Sequence, residues 1–311
     1  MTLRLSLPDQ RTEARFTGLT DVDLVVWDFA SPLPGGGPID LAVRPYVLQG
    51  DLTLLEPERV RAVQSQTLGY DDAVGHVPDG ITWCNAVSVH EGPAAEIAVG
   101  LLIATLRGFD EFARAMPEGR WVRAWNPGLL GSRILLLGYG GIGTEVHARL
   151  DGFGVDLVRV ARTARRDEHG DIHGIDELSA LLPGVDAVVV AVPYGPETHH
   201  LVDDAFLSSM RPGALVVNVS RGKVADTDAL ARQAATGHIR ISSDVWDPEP
   251  LPPDHPLWTT PGVFISPHVG GAVTTMHDRV EALVREQIAR LQSGRPLVNV
   301  VDVSGRAEGS R

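Results

Sequence analysis

Near the middle of this 311-residue chain a strand-like run, Arg133–Leu137, ends in Gly138-Tyr139-Gly140-Gly141-Ile142-Gly143. A helical pattern over residues 142–152 follows, and then a second apolar run over residues 155–160. Glycines spaced G-x-G-x-x-G between a strand and a helix, inside a βαβ unit, are the fingerprint of a dinucleotide-binding turn. The first glycine allows the tight turn, the second lets backbone approach a pyrophosphate, and the third lets helix and strand pack closely. Helix N-terminal amides then bind the phosphates. On this reading Gly138, Tyr139, Gly140, Gly141, Ile142 and Gly143 contact the dinucleotide.

The alternation continues downstream. A short helix is expected over 175–182, then strand 187–192, helix 203–210, strand 215–219, helix 225–236, and strands 239–245 and 263–266. Strands alternating with helices imply a doubly wound parallel sheet. Upstream, residues 94–106 form a helix apolar almost all round, which belongs in a core or under a partner subunit. Leu3–Leu7, residues 23–27 and residues 61–64 read as strands of an N-terminal region, and 32–38 as a Pro/Gly loop. A long helix over 274–291 leaves the sheet, and the run 297–303 adds a small element to the first domain. The polar tail after Val303 is expected to fray.

A chain of this length supports two cores. The expected fold class is therefore α/β with two domains, a Rossmann-type doubly wound parallel sheet plus a smaller flavodoxin-like α/β substrate domain. The dinucleotide domain is assigned to residues 93–273, and the substrate domain to 1–92 plus 274–311.

An acidic residue for the adenosine ribose of NAD is expected about 20 residues past the glycines. Here Ala161 stands in its place, followed by Arg162-Thr163-Ala164-Arg165-Arg166. A carboxylate repels a 2′-phosphate, whereas a guanidinium binds it in a bidentate fork. NADP(H) is thus the preferred cofactor, with Arg162 and Thr163 as phosphate contacts, and NAD(H) remains possible.

The net charge of −13 argues against nucleic acid or an anionic membrane as partner. The most apolar helix is shorter than the ~20 residues of a bilayer span. One cysteine, Cys84, cannot close an intramolecular disulfide, which fits a reducing cytoplasm. No cluster has metal-ligand spacing.

Three polar residues fall at strand ends of the expected sheet, where open α/β folds bind ligands. They are Arg221 in Asn218-Val219-Ser220-Arg221-Gly222, Glu249 in Asp244-Val245-Trp246-Asp247-Pro248-Glu249-Pro250, and His268 in Ser266-Pro267-His268-Val269-Gly270-Gly271. With the glycine turn, with Asp226, and with the thinner matches Leu68-Gly69-Tyr70-Asp71, Asn85 and Ala95-Glu96, these segments resemble the D-isomer-specific 2-hydroxyacid dehydrogenase family. The resemblance implies hydride transfer between NAD(P)H and a small 2-keto or 2-hydroxy acid. Within it, the expected activity is reduction of glyoxylate, hydroxypyruvate or a related keto acid. NAD-dependent oxidation of a D-2-hydroxy acid and nicotinamide sensing by a binding protein are the alternatives.

Such a reaction needs a hydride donor, a proton donor and a carboxylate anchor. His268 suits the proton donor, with an intrinsic pKa near neutrality. Glu249 would hold the imidazole and favour its charged form. Arg221 would bind the carboxylate and polarise the carbonyl. The resemblance further implies that backbone amides of Leu68, Gly69 and Tyr70 take the other carboxylate oxygen. It implies that Val219, Asp244 and Gly270 flank the cofactor and that the chain is a homodimer. His76, His90, His199 and His200 stand outside these motifs and read as surface residues, with His90 available to a substrate contact. Trp121 and Trp125 read as packing residues, with Trp125 available to a subunit contact.

Overall fold

The computed structural model describes residues 2–46 and 50–305. Most of the polar tail expected to fray, residues 306–311, lies outside them. The chain divides into two compact units. One takes residues up to His90 together with those from Thr274 onward, and the other is Glu91–Val273.

In the first unit, strands β1 (Leu3–Leu7), β2 (Val22–Val26), β3 (Leu41–Val43), β4 (Ala62–Gln64) and β5 (Thr82–Cys84) lie parallel in the order β2-β1-β3-β4-β5. That is the flavodoxin-type order. The short strand Val300–Val301 adds antiparallel to β5, so the run 297–303 does return to the first sheet. The helix Met276–Gln292 is tied in by Gln287, which is fully buried. Its amide donates to Gln64 Oε1 (2.8 Å) and the Val298 carbonyl (2.9 Å), and its Oε1 accepts from Val298 N (3.1 Å). A buried amide is tolerated because each of its polar atoms is paired. Strands β3 and β5 were not expected from the sequence. Each has only three residues, and β3 sits between Pro38 and Pro45, so neither carries enough periodicity to read as a strand.

The second unit is a sheet of eight strands: β6 (Arg133–Leu137), β7 (Asp156–Ala161), β8 (Arg165–Asp167), β9 (Gly170–Gly174), β10 (Ala187–Val190), β11 (Ala214–Asn218), β12 (Ile239–Ser243) and β13 (Val263–Ile265). Their order is β13-β12-β11-β10-β6-β7-β9-β8, parallel except for the β8–β9 hairpin. Period-two alternation sorts side chains between two cores. Leu135, Leu137, Val188, Val190 and Val216 pack on one side with the helices Asp204–Ser209 and Thr227–Ala235. Ile134, Leu136, Val189, Leu215 and Val217 pack on the other with Glu91–Leu106 and Gly141–Leu150. Burial on both faces explains why these strands read as unbroken apolar runs. The strand order reverses between β6 and β10, the switch point at which such sheets bind ligands.

The β8–β9 hairpin and the helix Phe109–Ala115 were also not expected. Arg165-Arg166-Asp167 reads as a solvated basic loop. It folds as an edge strand because its charges are paired. Nη1 of the buried Arg159 of β7 donates to both Asp167 oxygens (2.8 and 2.9 Å) and its Nη2 to the Asp171 carbonyl (3.2 Å), while Arg166 pairs with Asp171 (2.7 Å).

Candidate active site

The glycine turn leaves β6 at the switch point, and Gly138 and Gly143 are sterically required there. Gly138 has φ +104°, and a Cβ there would lie 2.6 Å from the Ala191 backbone beyond β10. At Gly143 a Cβ would meet the Gly138 carbonyl oxygen at 2.1 Å. Gly140 faces open space, and both it and Gly141 are exposed at the start of Gly141–Leu150. Free space over helix N-terminal amides fits the pyrophosphate of a dinucleotide. The Tyr139 side chain is engaged within the protein. Its ring is buried under the Arg159 guanidinium (4.8 Å), its hydroxyl lies 2.5 Å from His147 Nδ1, and its carbonyl accepts from Arg165 (2.9 Å). Burial, together with the charges of His169 and Arg159, lowers the His147 pKa.

At the end of β7, Arg162 and Thr163 are exposed. Two of the three neighbouring arginines are committed, Arg165 to Tyr139 and Arg166 to Asp171. Among the described residues the Arg162 guanidinium has no partner, so it is the cation available to a ligand. No local residue pattern announces how this loop is mounted. Arg159, inside β7, fixes the hairpin that follows the loop, and only the pairing with Asp167 reveals it.

The ends of β11, β12 and β13 carry the polar residues. Asn218 shapes the turn after β11. Its Oδ1 accepts from Ser220 N (3.0 Å) and Ser220 Oγ (2.7 Å), and its Nδ2 donates to the Arg221 carbonyl (3.1 Å). Arg221 emerges half-buried, with Nη1 on the Ser220 carbonyl (2.8 Å). Gly222 is forced, since a Cβ would sit 1.9 Å from the Trp246 carbonyl oxygen. Asp226 is a helix cap, accepting from Asp228 N and Ala229 N.

Glu249 and His268 meet directly, Oε2 accepting from Nδ1 at 2.8 Å. This fixes the tautomer and leaves Nε2 with no partner among the described residues. The Glu249 hydrogen bond and charge raise the His268 pKa, against burial and the charge of Arg221. His268 therefore stays protonated to higher pH than an ordinary histidine, as a proton donor at neutral pH requires. Asp244 is buried behind this pair. Its carboxylate accepts from Val269 N (2.9 Å), Gly270 N (2.7 Å) and Ser266 Oγ (2.5 Å). Val219 is buried at the end of β11. Ser266 is a residue of this site that motif reading passed over, because a serine before Pro-His carries no signal until its partner is known.

In the first unit, the turn after β4 uses its carbonyls inward. Leu68 O accepts from Asn85 Nδ2 (2.9 Å), Gly69 O from Thr67 Oγ1 (2.8 Å) and Tyr70 O from Ala73 N (2.9 Å). The N–H groups of Leu68, Gly69 and Tyr70 donate to nothing among the described residues, which suits an anion. His76, His199 and His200 are exposed as expected, but His90 is buried. Its Nε2 lies 2.6 Å from the Gln66 carbonyl and its ring stacks on Tyr46, so it packs the unit's interior. Trp121 and Trp125 do not pack within the chain, being 91% and 102% exposed.

No group of three or more His, Cys, Asp or Glu among the described residues could hold a metal. No single helix among them is long and apolar enough to cross a membrane.

A Rossmann-type sheet with a dinucleotide turn and an Arg–Glu–His set at its strand ends defines a nicotinamide-dependent oxidoreductase. Residues 99–270 match the family model of the D-isomer specific 2-hydroxyacid dehydrogenase NAD binding domain. The chain is 32% identical over 254 residues to the glyoxylate reductase of Thermofilum pendens, covering 77% of this chain and 75% of that protein. It is also 28% identical to the D-3-phosphoglycerate dehydrogenase of Methanocaldococcus jannaschii over 79% of this chain and 48% of that one. Among solved structures, a D-isomer specific 2-hydroxyacid dehydrogenase from Xanthobacter autotrophicus Py2, in complex with NADPH and MES, aligns with TM-score 0.81 and 25% identity, covering 97% of this chain and 98% of that one. An NADPH-dependent glyoxylate/hydroxypyruvate reductase from Sinorhizobium meliloti, in complex with NADP and malonate, aligns with TM-score 0.78 and 25% identity over the full length of both. The chain belongs to the D-isomer specific 2-hydroxyacid dehydrogenase family.

Proposed function

We propose that the protein reduces a small 2-keto acid of the glyoxylate or hydroxypyruvate type, with NADPH as its preferred donor and NADH accepted less well. The observation that carries this reading is the Glu249–His268 pair, a histidine whose pKa is raised by its carboxylate partner and whose Nε2 has no partner among the described residues. Bound NAD(P)H supplies the hydride. Arg221 binds the substrate carboxylate and polarises the carbonyl. Amides of Leu68, Gly69 and Tyr70 take the second carboxylate oxygen. Nε2 of His268 gives its proton to the carbonyl oxygen, which becomes the hydroxyl, and the neutral imidazole regains a proton from solvent. Glu249 keeps the ring oriented throughout. Val219, Asp244 and Gly270 flank the nicotinamide end.

Preference for NADPH rests on Arg162 and on Ala161 standing where a carboxylate would select NAD. The units 1–92 with 274–311 and 93–273 act as substrate and dinucleotide domains, and the enzyme works in the cytoplasm. A homodimer belongs to the same reading, since Met116, Trp121, Trp125 and Leu130 are exposed along one stretch next to the dinucleotide domain's apolar helix. Sedimentation at micromolar concentration should give twice the chain mass, and a monomer would remove the dimer.

The activity is tested by following NADPH and NADH oxidation in parallel with glyoxylate, hydroxypyruvate, pyruvate, phenylpyruvate and 2-ketoisocaproate. Acid-dependent oxidation, faster with NADPH and with one of the first two acids, is expected. Intact cofactor binding with no oxidation across the panel would overturn the reading.

A further inference from the structure

His268 has φ +55°, a left-handed conformation that is unfavourable for a non-glycine residue. Something must hold it. The two N–H groups that follow, of Val269 and Gly270, converge on one carboxylate, Asp244, with one N–H to each oxygen. Successive amides beside a left-handed residue form a concavity that suits an anion, and here a side-chain carboxylate fills it. The fit is close, because a Cβ on Gly270 would lie 2.8 Å from Asp244 Oδ2 and 3.3 Å from Ile97 Cγ2. Asp244 is fixed in turn. Its N–H continues the sheet to the Asn218 carbonyl (3.0 Å), and Ser266 Oγ donates to Oδ1. Ser266 is itself buried and anchored at both backbone ends, its N–H on the Ser243 carbonyl (2.9 Å) and its carbonyl accepting from Trp246 Nε1 (3.3 Å).

We propose that Ser266 and Asp244 form a buried clamp that holds His268 in its left-handed conformation, which makes Ser266 a positioning residue for proton transfer. The inference rests on the reading of His268 as proton donor. Without the Ser266 hydroxyl, Oδ1 keeps its charge and its bond to Val269 but can swing. The His268 backbone then relaxes, and Nε2 spends less time where the carbonyl oxygen receives a proton. Small displacements of a catalytic group lower turnover without changing what the site binds.

The test is a double-mutant cycle with Ser266→Ala and His268→Ala, reading kcat for keto-acid reduction, NADPH affinity by fluorescence titration, and Tm. In the parent background Ser266→Ala should lower kcat about 10-fold, the scale set by partial loss of general acid catalysis. In the His268→Ala background it should change kcat less than about twofold, because residues acting as one unit are non-additive. NADPH affinity should fall by less than kcat does, since the phosphate turn is untouched. The clamp is overturned if Ser266→Ala leaves kcat unchanged, or if its loss is equal in both backgrounds, the mark of a purely structural role. If His268→Ala itself left kcat unchanged, the proton-donor reading would fail and the clamp with it, so the two failures are distinguishable.

Discussion

Two ends of the same sheet do different kinds of work and are built differently. At the ends of β11, β12 and β13 nearly every polar atom is spoken for. Asn218 shapes the turn that presents Arg221, Glu249 holds His268, and Asp244 gathers Val269, Gly270 and Ser266. At the end of β7 the side chain proposed to meet the cofactor, Arg162, stands exposed on a loop whose mounting, Arg159 with Asp167, lies in the strand before it and the hairpin after it. Proton transfer needs several groups held to a fraction of an ångström. Attraction to one phosphate needs a cation within reach and a loop stiff enough to keep it there.

That contrast predicts a graded series of losses. Arg221→Ala removes both the carboxylate anchor and the group that polarises the carbonyl. It should reduce kcat/KM by roughly 1,000-fold, the scale of losing a principal electrostatic contact, with NADPH affinity nearly unchanged. Equal loss of both would mean that the two ends are not separable. Arg162→Ala should weaken NADPH roughly 10- to 100-fold through lost charge-assisted bonds while leaving NADH within about twofold. Parallel titrations check this, and equal effects on the two cofactors would remove Arg162 from 2′-phosphate recognition.

Glu249→Gln should cost about 10-fold in kcat, a fraction of a full general-acid contribution. It should also move the pH profile. Because Glu249 raises the His268 pKa, the imidazolium survives to higher pH in the parent, and reduction declines only as pH rises through that raised value. With the carboxylate neutralised, the decline should begin at lower pH. A kcat/KM profile against pH decides it, and an unmoved alkaline limb would separate Glu249 from the proton donor. Arg159→Ala should have the smallest kinetic effect, a few-fold loss of NADPH affinity as the loop loses its mounting. It should also lower stability, because the hairpin would lose the buried guanidinium that ties Asp167 and the Asp171 carbonyl to β7. Denaturant unfolding and cofactor titration on one sample measure both.

The same contrast explains what could be read from the sequence. Interlocked sites leave contiguous signatures. Asn218 to Gly222, Asp244 to Pro250 and Ser266 to Gly271 are legible because each residue's neighbours are required by backbone geometry, as Gly222 is by the Trp246 carbonyl. The parallel strands of the second sheet were legible for a related reason, since burial on both faces makes them uniformly apolar. The β8–β9 hairpin was not, because three charged residues in an edge strand become intelligible only once Asp167 and Asp171 are seen opposite their arginines. His90 and the two exposed tryptophans misled for complementary reasons. The imidazole found a carbonyl and an aromatic face indoors, while Trp121 and Trp125 reach outward from a segment without regular structure. The Ser266–Asp244 contact spans 22 positions, and no local pattern announces it.

The most direct test of the proton-donor assignment is keto-acid reduction by His268→Ala and by the parent, compared across pH at saturating NADPH. The variant should be slower by about 100-fold or more, as loss of a general acid gives, with NADPH affinity within a few fold. The alkaline decline of the parent should be absent from the variant. A variant that kept the parent's rate and its pH profile would contradict the account, and the proton donor would have to be sought elsewhere in the site.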